Sequence, residues 1–335
     1  MPRPEVMGHM SAGENVGLHL CRQIVSDSWQ HILVTDRITD DCYVSNKTRE
    51  RGYTLPLYLY PARKGETGDQ ASWLNTAPWP PDARGRVPNL APAFVAEVEA
   101  RLGMKFAWPP LGDSKSPLPS RSLPAQAEPD ASEAEWVANE SAQADFATVA
   151  AVSNRRATFT PEDLFHYLYA VFHAPTYRAR YAEFLKLDFP RVPLTADRAL
   201  FWQLAALGRE LAALHLLDSD AAPVLLRPIT CFPVAGYGTV EKGHPRYAEA
   251  TRRVYINADN VKTGKQGQYF ENAPPEVWDF QVGGYQPCQK WLKDRVGRRL
   301  TYDDLTHYSR IVVSLKETLR LMGEIDAAIP AWPVG

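Results

Sequence analysis

The stretch from Gly283 to Arg299 combines residue types that suit the binding of a nucleic acid. Its two glycines permit a turn that other residues resist, and an aromatic and cationic run follows them. Five cations and one anion, Asp294, lie between Tyr285 and Arg299, although the whole chain has a formal net charge of -2. Aromatic side chains among cations suit a phosphate backbone with bases beside it. The competing interpretation is a solvated basic face around a buried Trp291.

Further Arg, Lys and Asn side chains lie on predicted loops between β-strands. Side chains of these types are the usual partners of phosphates and base edges. Each group alone is more typical of a solvated loop, but together with the run at 285–299 they favour DNA binding. The predicted DNA-binding residues are Asn46, Lys47, Arg49, Arg51, Arg252, Arg253, Lys262, Lys265, Tyr285, Lys290, Lys293, Arg295, Arg298 and Arg299. In this interpretation the loops at 45–52 and 257–268 read bases, while the cations at 290–299 hold phosphates.

Sequence motifs of the common cofactor sites are missing from the chain. The Pro-Pro pairs at 80–81, 109–110 and 274–275 lack the flanking residues of an amino-methyltransferase loop. Residues 236–238 lack the third glycine of a dinucleotide-binding loop, and residues 264–265 lack the Ser or Thr of a phosphate-binding loop. There is no Gly-x-Ser-x-Gly elbow. We therefore expect no catalytic residue, metal or cofactor in this chain.

Two histidines in a predicted helix, His166 and His173, are the main alternative candidates for a ligand site. They lie seven positions apart, whereas a helical metal pair normally uses positions i and i+4. Packed core histidines are therefore the favoured interpretation. The adjacent Asp303 and Asp304 are expected to be helix-start charges rather than a catalytic dyad.

The bulk composition indicates a globular protein of ordinary type. Its 335 residues, 45% hydrophobic and 23% charged, suggest about two domains. Because the net charge is near zero, any affinity for nucleic acid must come from local patches. The four cysteines lack zinc-site spacing and are expected to be buried in a reducing compartment, which predicts a cytoplasmic location. No apolar run reaches about 18 residues and no signal peptide is evident, so we expect no membrane contact.

The N-terminal third is predicted to be rich in β-structure. Strands are expected at 30–35 and 42–44, and the proline within 53–60 favours an edge strand there. A helix is expected at 92–102, from a first-turn proline to a terminating glycine. Residues 108–157 are Pro-rich and then acidic, with no Lys or Arg from 123 to 154, which predicts a poorly ordered insertion.

The C-terminal half is predicted to be mainly helical. Helices are expected to start at Thr160, at Pro175, after Thr195 and at Thr301, the first and last with capping residues. The last carries an apolar seam that should pack on an earlier helix. Strands are expected at 253–256 and 277–282. The predicted class is α+β, a helical bundle on small β-sheet elements, divided into 1–107 (β-rich), 108–157 (insertion) and 158–335 (bundle with the basic segment).

Several long strings resemble a known family, in the same order along the chain. They are TFTPEDLFHYLYAVFHAPTYR at 158–178, DFPRVPL at 188–194 and GGYQPCQKWLKDR at 283–295, together with RPEVM at 3–7 and the stretch 53–61. They are similar to the C-terminal specificity region of type ISP restriction–modification enzymes. These are single-chain proteins with nuclease, helicase-like motor, adenine methyltransferase and target-recognition parts. The resemblance covers nearly the whole chain except 108–157.

The resemblance implies recognition of a double-stranded DNA sequence, with chemistry supplied by a methyltransferase domain or subunit. S-adenosylmethionine, ATP and Mg²⁺ are then expected only in the parts of a full enzyme that this chain lacks. Because recognition loops in such a family vary with the target, Tyr285, Lys290 and Arg295 are expected to brace the fold or hold phosphate. Alternatives are a protein-interaction module that uses the apolar seam and the acidic segment, an independently active methyltransferase, or a remnant that folds poorly alone.

Overall fold

The computed structural model describes residues 4–26, 28–44, 50–60, 78–109, 157–233, 238–259 and 266–334. Within these residues, nine α-helices and four small β-sheets surround two hydrophobic cores. This confirms the predicted α+β class. None of the helices described is both long enough and apolar enough to cross a bilayer. The predicted insertion at 108–157 lies almost wholly outside the described residues, as do 45–49 and 260–265.

The secondary structure is as follows. The helices are α1 (Pro4–Ser11), α2 (Pro92–Leu102), α3 (Pro161–His173), α4 (Pro175–Arg180), α5 (Ala182–Leu187), α6 (Arg198–Leu216), α7 (Pro275–Trp278), α8 (Pro287–Lys293) and α9 (Tyr302–Ala328). The strands are β1 (Gly17–Cys21), β2 (Ile32–Thr35), β3 (Gly52–Pro56), β4 (Tyr58–Leu59), β5 (Val87–Pro88), β6 (Lys105–Phe106), β7 (Thr158–Phe159), β8 (Arg246–Ala248), β9 (Arg253–Tyr255) and β10 (Tyr269–Phe270).

The N-terminal sheet has the antiparallel order β2-β1-β3, with His19 of the central strand opposite Leu33 on one side and Thr54 on the other. β3 is an edge strand, as predicted from its proline. The strand expected at 42–44 is wrong. Asp40 accepts a hydrogen bond from the Cys42 backbone N–H at 2.9 Å, and this local turn overrides the β-propensity of the residues.

The larger core joins this sheet to α3 and α6. α3 begins at the predicted Thr160 cap, which the structure shows to be a full capping box: Thr160 Oγ1 accepts from the Asp163 N–H and Asp163 accepts from the Thr160 N–H. α3 and α6 cross at Gly208, where an added Cβ would lie 1.9 Å from the His166 carbonyl oxygen. A glycine is therefore required for this close approach. His166 and His173 are buried, which confirms the packed-core interpretation.

The smaller core lies between the sheet β10-β9-β8, the short helices α7 and α8, and one face of α9. α9 begins at the predicted Thr301–Asp304 capping box. Its apolar seam packs within the chain, because Tyr308, Val312 and Leu315 lie in this smaller core with residues of α7 and α8. The long helix α6 contacts a different face of α9, where Ser314 Oγ donates to the Leu214 carbonyl at 2.9 Å. One of the two features that favoured an interaction module is thus used internally.

Three smaller expectations need correction. The strand predicted at 277–282 is instead the helix α7 followed by a turn, because Pro275 occupies a first-turn helical position and its neighbours Val277 and Trp278 face the core. α8 was not predicted as a helix. Of the four cysteines, Cys231 is exposed rather than buried.

Candidate nucleic-acid interface

The basic segment, residues 283–299, begins where the chain crosses to the N-terminal sheet. Gly283 has φ +55°, and its N–H donates to the Gln30 carbonyl at 3.1 Å. An added Cβ would lie 2.0 Å from the Val44 carbonyl oxygen. Only glycine fits both the left-handed backbone and this contact. Gly283 therefore holds the basic segment beside the loop that leads to residue 45.

The end of the basic segment is held by the backbone of residues 238–240. The Val240 N–H donates to the Arg298 carbonyl at 3.2 Å, and the Gly297 N–H donates back to the Val240 carbonyl at 2.8 Å. The Leu300 N–H donates to the Gly238 carbonyl at 2.9 Å. These bonds fix the backbone of the cationic residues, so the positions that their side chains can reach are limited.

Arg295 and Arg298 share one carboxylate at the start of α9. Arg298 Nη2 donates to both oxygens of Asp304, at 3.0 and 3.1 Å, and Arg295 Nε lies 3.4 Å from Asp304 Oδ1. Burial raises the pKa of Asp304, but hydrogen bonds from Thr301 and the neighbouring arginines outweigh it and hold that pKa below its usual value. The Arg295 guanidinium also lies 3.4 Å from the centre of the Trp291 ring, a cation–π contact. Both arginines therefore brace the helix start.

The two lysines of the basic segment differ in their partners. Lys290 Nζ contacts the Asp294 carboxylate at 2.6 Å, one helical turn away. Lys293 Nζ donates to the neutral Gln289 Oε1 at 2.7 Å, so its charge is not neutralised there. Tyr285 is largely enclosed, and burial raises the pKa of its hydroxyl.

The remaining described candidates lie on β-strands or directly beside them. Arg51 is 3.7 Å from Asp41 with its side chain 75% exposed. Arg253 is 3.8 Å from Glu271 and lies over the Tyr269 ring. The neighbouring Arg252 is exposed, in a left-handed backbone conformation. Arg299 is exposed and forms an isolated antiparallel bridge with Thr239. The candidates outside the described residues are Asn46, Lys47, Arg49, Lys262 and Lys265.

The structure brings only some of these candidates together. Tyr285 and Lys290 line one open cleft of about 640 Å³ between the two cores, beside Tyr43 from the loop that leads to 45–49. Arg252 and Arg253 lie on the sheet of the smaller core and do not line this cleft. The basic segment and the loop flank at residues 40–44 therefore form one candidate surface.

A model of the type ISP C-terminal specificity domain matches residues 1–324. The chain belongs to this family. No curated protein sequence matches this specificity domain.

Solved structures with the same fold come from much longer chains. The specificity domain is similar to a nuclease-deletion mutant of the type ISP restriction–modification enzyme LlaGI in complex with a DNA substrate mimic, with TM-score 0.50 and 15% identity. The similarity covers 93% of this chain and 21% of that one. It is similar to DrdV in a DNA complex, with TM-score 0.50, 19% identity, and coverage of 93% and 25%. It is also similar to the ATP-dependent type ISP enzyme LlaBIII bound to DNA, with TM-score 0.51, 16% identity, and coverage of 97% and 16%. The specificity domain thus spans a quarter or less of each of these chains.

The cleft of the specificity domain also contains residues that sequence reasoning did not single out. Arg178 of α4 is the most notable, because it enters the cleft beside His173 and His215. Phe280 also contributes aromatic surface, beside Trp291, which is half-buried rather than buried as the competing interpretation expected. The available signal was weak: Arg178 is a cation that directly follows a long aromatic run in the sequence, and such a residue often packs over aromatic rings in the core.

Proposed function

We propose that this chain recognises a specific double-stranded DNA sequence, as the target-recognition part of a type ISP restriction–modification enzyme. The observation that carries the proposal is the family match across residues 1–324. The solved relatives are restriction–modification enzymes or complexes with DNA, and their fold is shared here. The predicted basic segment adds a physical basis, since cations on a fixed backbone suit regularly spaced phosphates.

The ion pairs divide the candidate residues by role. Arg295 and Arg298 hold the start of α9 through Asp304, so they act mainly as braces. Lys293 and Arg252 face no carboxylate within the described residues, and both are exposed. We assign these two to phosphate contact, which positions a protein on DNA without selecting a sequence. Base reading then belongs to the loops at 45–52 and 257–268.

The chemistry of the full enzyme is assigned to parts outside this chain. A neighbouring methyltransferase domain or subunit would use S-adenosylmethionine, and ATP with Mg²⁺ would serve a motor. The cytoplasm remains the expected location. Incubation of the chain with labelled S-adenosylmethionine and duplex DNA tests this division. Incorporation of label into the DNA would contradict it.

Duplex binding measured by fluorescence anisotropy tests the recognition role. Affinity should fall by about 0.9 log unit per log unit of salt for each phosphate neutralised. Selection from a random duplex pool should enrich one sequence. A flat salt response, or a pool that stays random after selection, would contradict the proposal.

A double variant separates phosphate contact from base reading. Lys293→Ala with Arg252→Ala should weaken binding to all duplexes alike and reduce the salt slope by about 1.8. The matched control is Lys105→Ala with Lys316→Ala, which removes the same charge from exposed positions that are not among the predicted DNA-binding residues. An equal loss of affinity in the control would show that only net charge matters.

A further inference from the structure

Arg178 is a cation at the wall of the cleft with no acidic partner. Its Nε donates to the Phe172 carbonyl at 2.7 Å, and its guanidinium lies 5.7 Å from the Trp29 ring centre. No carboxylate lies within ion-pair distance of it among the described residues, and its terminal nitrogens have no hydrogen-bond acceptor there. Burial lowers the pKa of Arg178 to about 10; Tyr169 opposes that effect only in part, and no carboxylate does.

The groups around Arg178 are neutral and already oriented. His215 Nδ1 is 2.6 Å from the Tyr169 hydroxyl, and its Nε2 is 2.9 Å from Thr318 Oγ1. His173 Nδ1 is 2.8 Å from the Tyr169 carbonyl. Burial is the main cause that lowers the pKa of both histidines, so they carry no charge at neutral pH. A buried cation among neutral groups is costly unless an anion joins it.

The acids that line the cleft are engaged elsewhere. Asp294 is paired with Lys290, and Asp40 accepts the Cys42 backbone N–H. Neither acts as a counter-ion that raises the pKa of Arg178. At the end of the cleft formed by Arg178, no carboxylate within the described residues neutralises its positive charge.

Flat apolar surface lines the same cleft. Phe280 and Tyr285 line it, and no other aromatic ring packs against either of them within the described residues. Tyr43, exposed over 55% of its surface, stands at the opening. A volume of about 640 Å³ is within the range of small-molecule sites and is large enough for one nucleotide. Aromatic rings stack on bases without regard to sequence.

We propose that this cleft binds a single nucleotide, with its phosphate on Arg178 and its base against Tyr285 and Phe280. The nucleotide comes either from solution or from DNA, as a nucleotide displaced from the duplex. The site goes beyond recognition of a duplex by phosphate contacts, and free nucleotides test it without any duplex.

The four deoxynucleoside monophosphates, the deoxynucleosides and inorganic phosphate are the probes, with calorimetry on the full chain. The monophosphates should bind about tenfold or more tightly than the deoxynucleosides, because a charge-assisted hydrogen bond is lost with the phosphate. They should also bind more tightly than inorganic phosphate. Equal binding of inorganic phosphate and monophosphates would overturn the nucleotide assignment, as would no binding of any probe at millimolar concentration.

Variants locate the site. Arg178→Gln should reduce monophosphate affinity about tenfold or more, and Arg180→Gln, an exposed charge two residues away on the same helix, should not. If Arg178→Gln does not fold, Tyr285→Leu gives the second test, because it removes the ring and should weaken all four monophosphates. Unchanged affinity in a folded Arg178→Gln or Tyr285→Leu variant would refute the proposed site.

A competition experiment distinguishes the two sources. A duplex with one bulged nucleotide should displace a bound monophosphate if the cleft takes a nucleotide from DNA, whereas a duplex that binds without displacement supports the free nucleotide. Monophosphate binding without any duplex binding would contradict DNA recognition and leave the cleft assignment standing.

Discussion

The two hydrophobic cores hold different sets of ionisable groups. The larger core encloses His166, and His173 and His215 lie at its edge, all three neutral because burial lowers their pKa values. The smaller core keeps charges at its boundary, where Arg295 and Arg298 are fixed to one carboxylate. A dense run of cations in the sequence is therefore not the same as available positive charge. In this chain the local acids already engage much of the basic segment.

Acid should destabilise the larger core most, which is the largest effect that this comparison predicts. The pKa of His166 is lowered to about 3, first by burial and then by Arg209, and the pKa of His215 is also lowered to about 3. Below the unfolded value of about 6.5, the unfolded chain takes up protons that the folded chain does not. Stability is therefore full above that pH and falls as the pH moves toward 3. The loss is about 1.4 kcal/mol per pH unit for each histidine.

Urea unfolding at pH 8.5, 7.5 and 5.5 measures this loss. The free energy of unfolding should be equal at the two higher pH values and clearly smaller at pH 5.5. His166→Leu removes one titrating group, whose Nδ1 has no hydrogen-bond partner in the described residues. The free energy of unfolding of this variant should therefore depend less steeply on pH. An unchanged slope in that variant would remove His166 from the explanation.

The two capping boxes provide the next largest contrast. Asp163 contacts one arginine, Arg209, at 3.1 Å, whereas Asp304 contacts both Arg295 and Arg298. Both aspartates also cap their helices, and loss of a cap costs about 1 kcal/mol. Because these arginines are partly exposed, each ion pair adds only about 0.5 kcal/mol. Asp304→Ala should therefore cost about 2 kcal/mol and Asp163→Ala about 1.5 kcal/mol.

Urea midpoints at pH 7.5, with unchanged dependence on urea concentration, measure these two losses. The comparison requires that the urea midpoint of Asp304→Ala lie below that of Asp163→Ala. A lower midpoint for Asp163→Ala would mean that the arginines of the basic segment do not brace α9. These arginines would then again be candidates for phosphate contact.

Features that depend on local sequence were predictable. Both capping boxes follow from a threonine and an aspartate three residues apart, and the edge position of β3 follows from Pro56. β1 was not predicted, because all five of its residues are buried and the strand shows no alternation. A strand was predicted where α7 forms, because apolar residues alternate there as they do in a strand. The proline at the first turn starts a helix instead.

The candidate surface was only partly predictable, because its partners come from distant parts of the chain. The run at 285–299 is visible in the sequence, and the structure places Tyr285 and Lys290 in the cleft. The requirement for glycine at 283 arises from Val44, more than two hundred residues away. Arg178 is distinctive only because no acid reaches it, and a sequence does not show which acids are engaged elsewhere.

The smallest predicted effect distinguishes a brace from a phosphate ligand within the basic segment. Arg295→Gln loses the contact with Asp304 and the cation–π contact with Trp291, so it should cost about 1 kcal/mol of stability. Lys293→Gln loses only a neutral partner, and its stability should change by less than about 0.5 kcal/mol.

For DNA binding we expect the opposite order, with the larger effect from Lys293→Gln and the smaller from Arg295→Gln. Lys293→Gln should lower the salt slope by about 0.9, the value for one phosphate, whereas Arg295→Gln should leave the slope nearly unchanged. The same charge is removed in both variants, so net charge cannot explain a difference between them. If Arg295→Gln instead keeps its stability and loses the salt dependence, then the Asp304 pairing is too weak to hold that arginine. In that case the cations of the smaller core are as free to meet a phosphate as their spacing in the sequence first indicated.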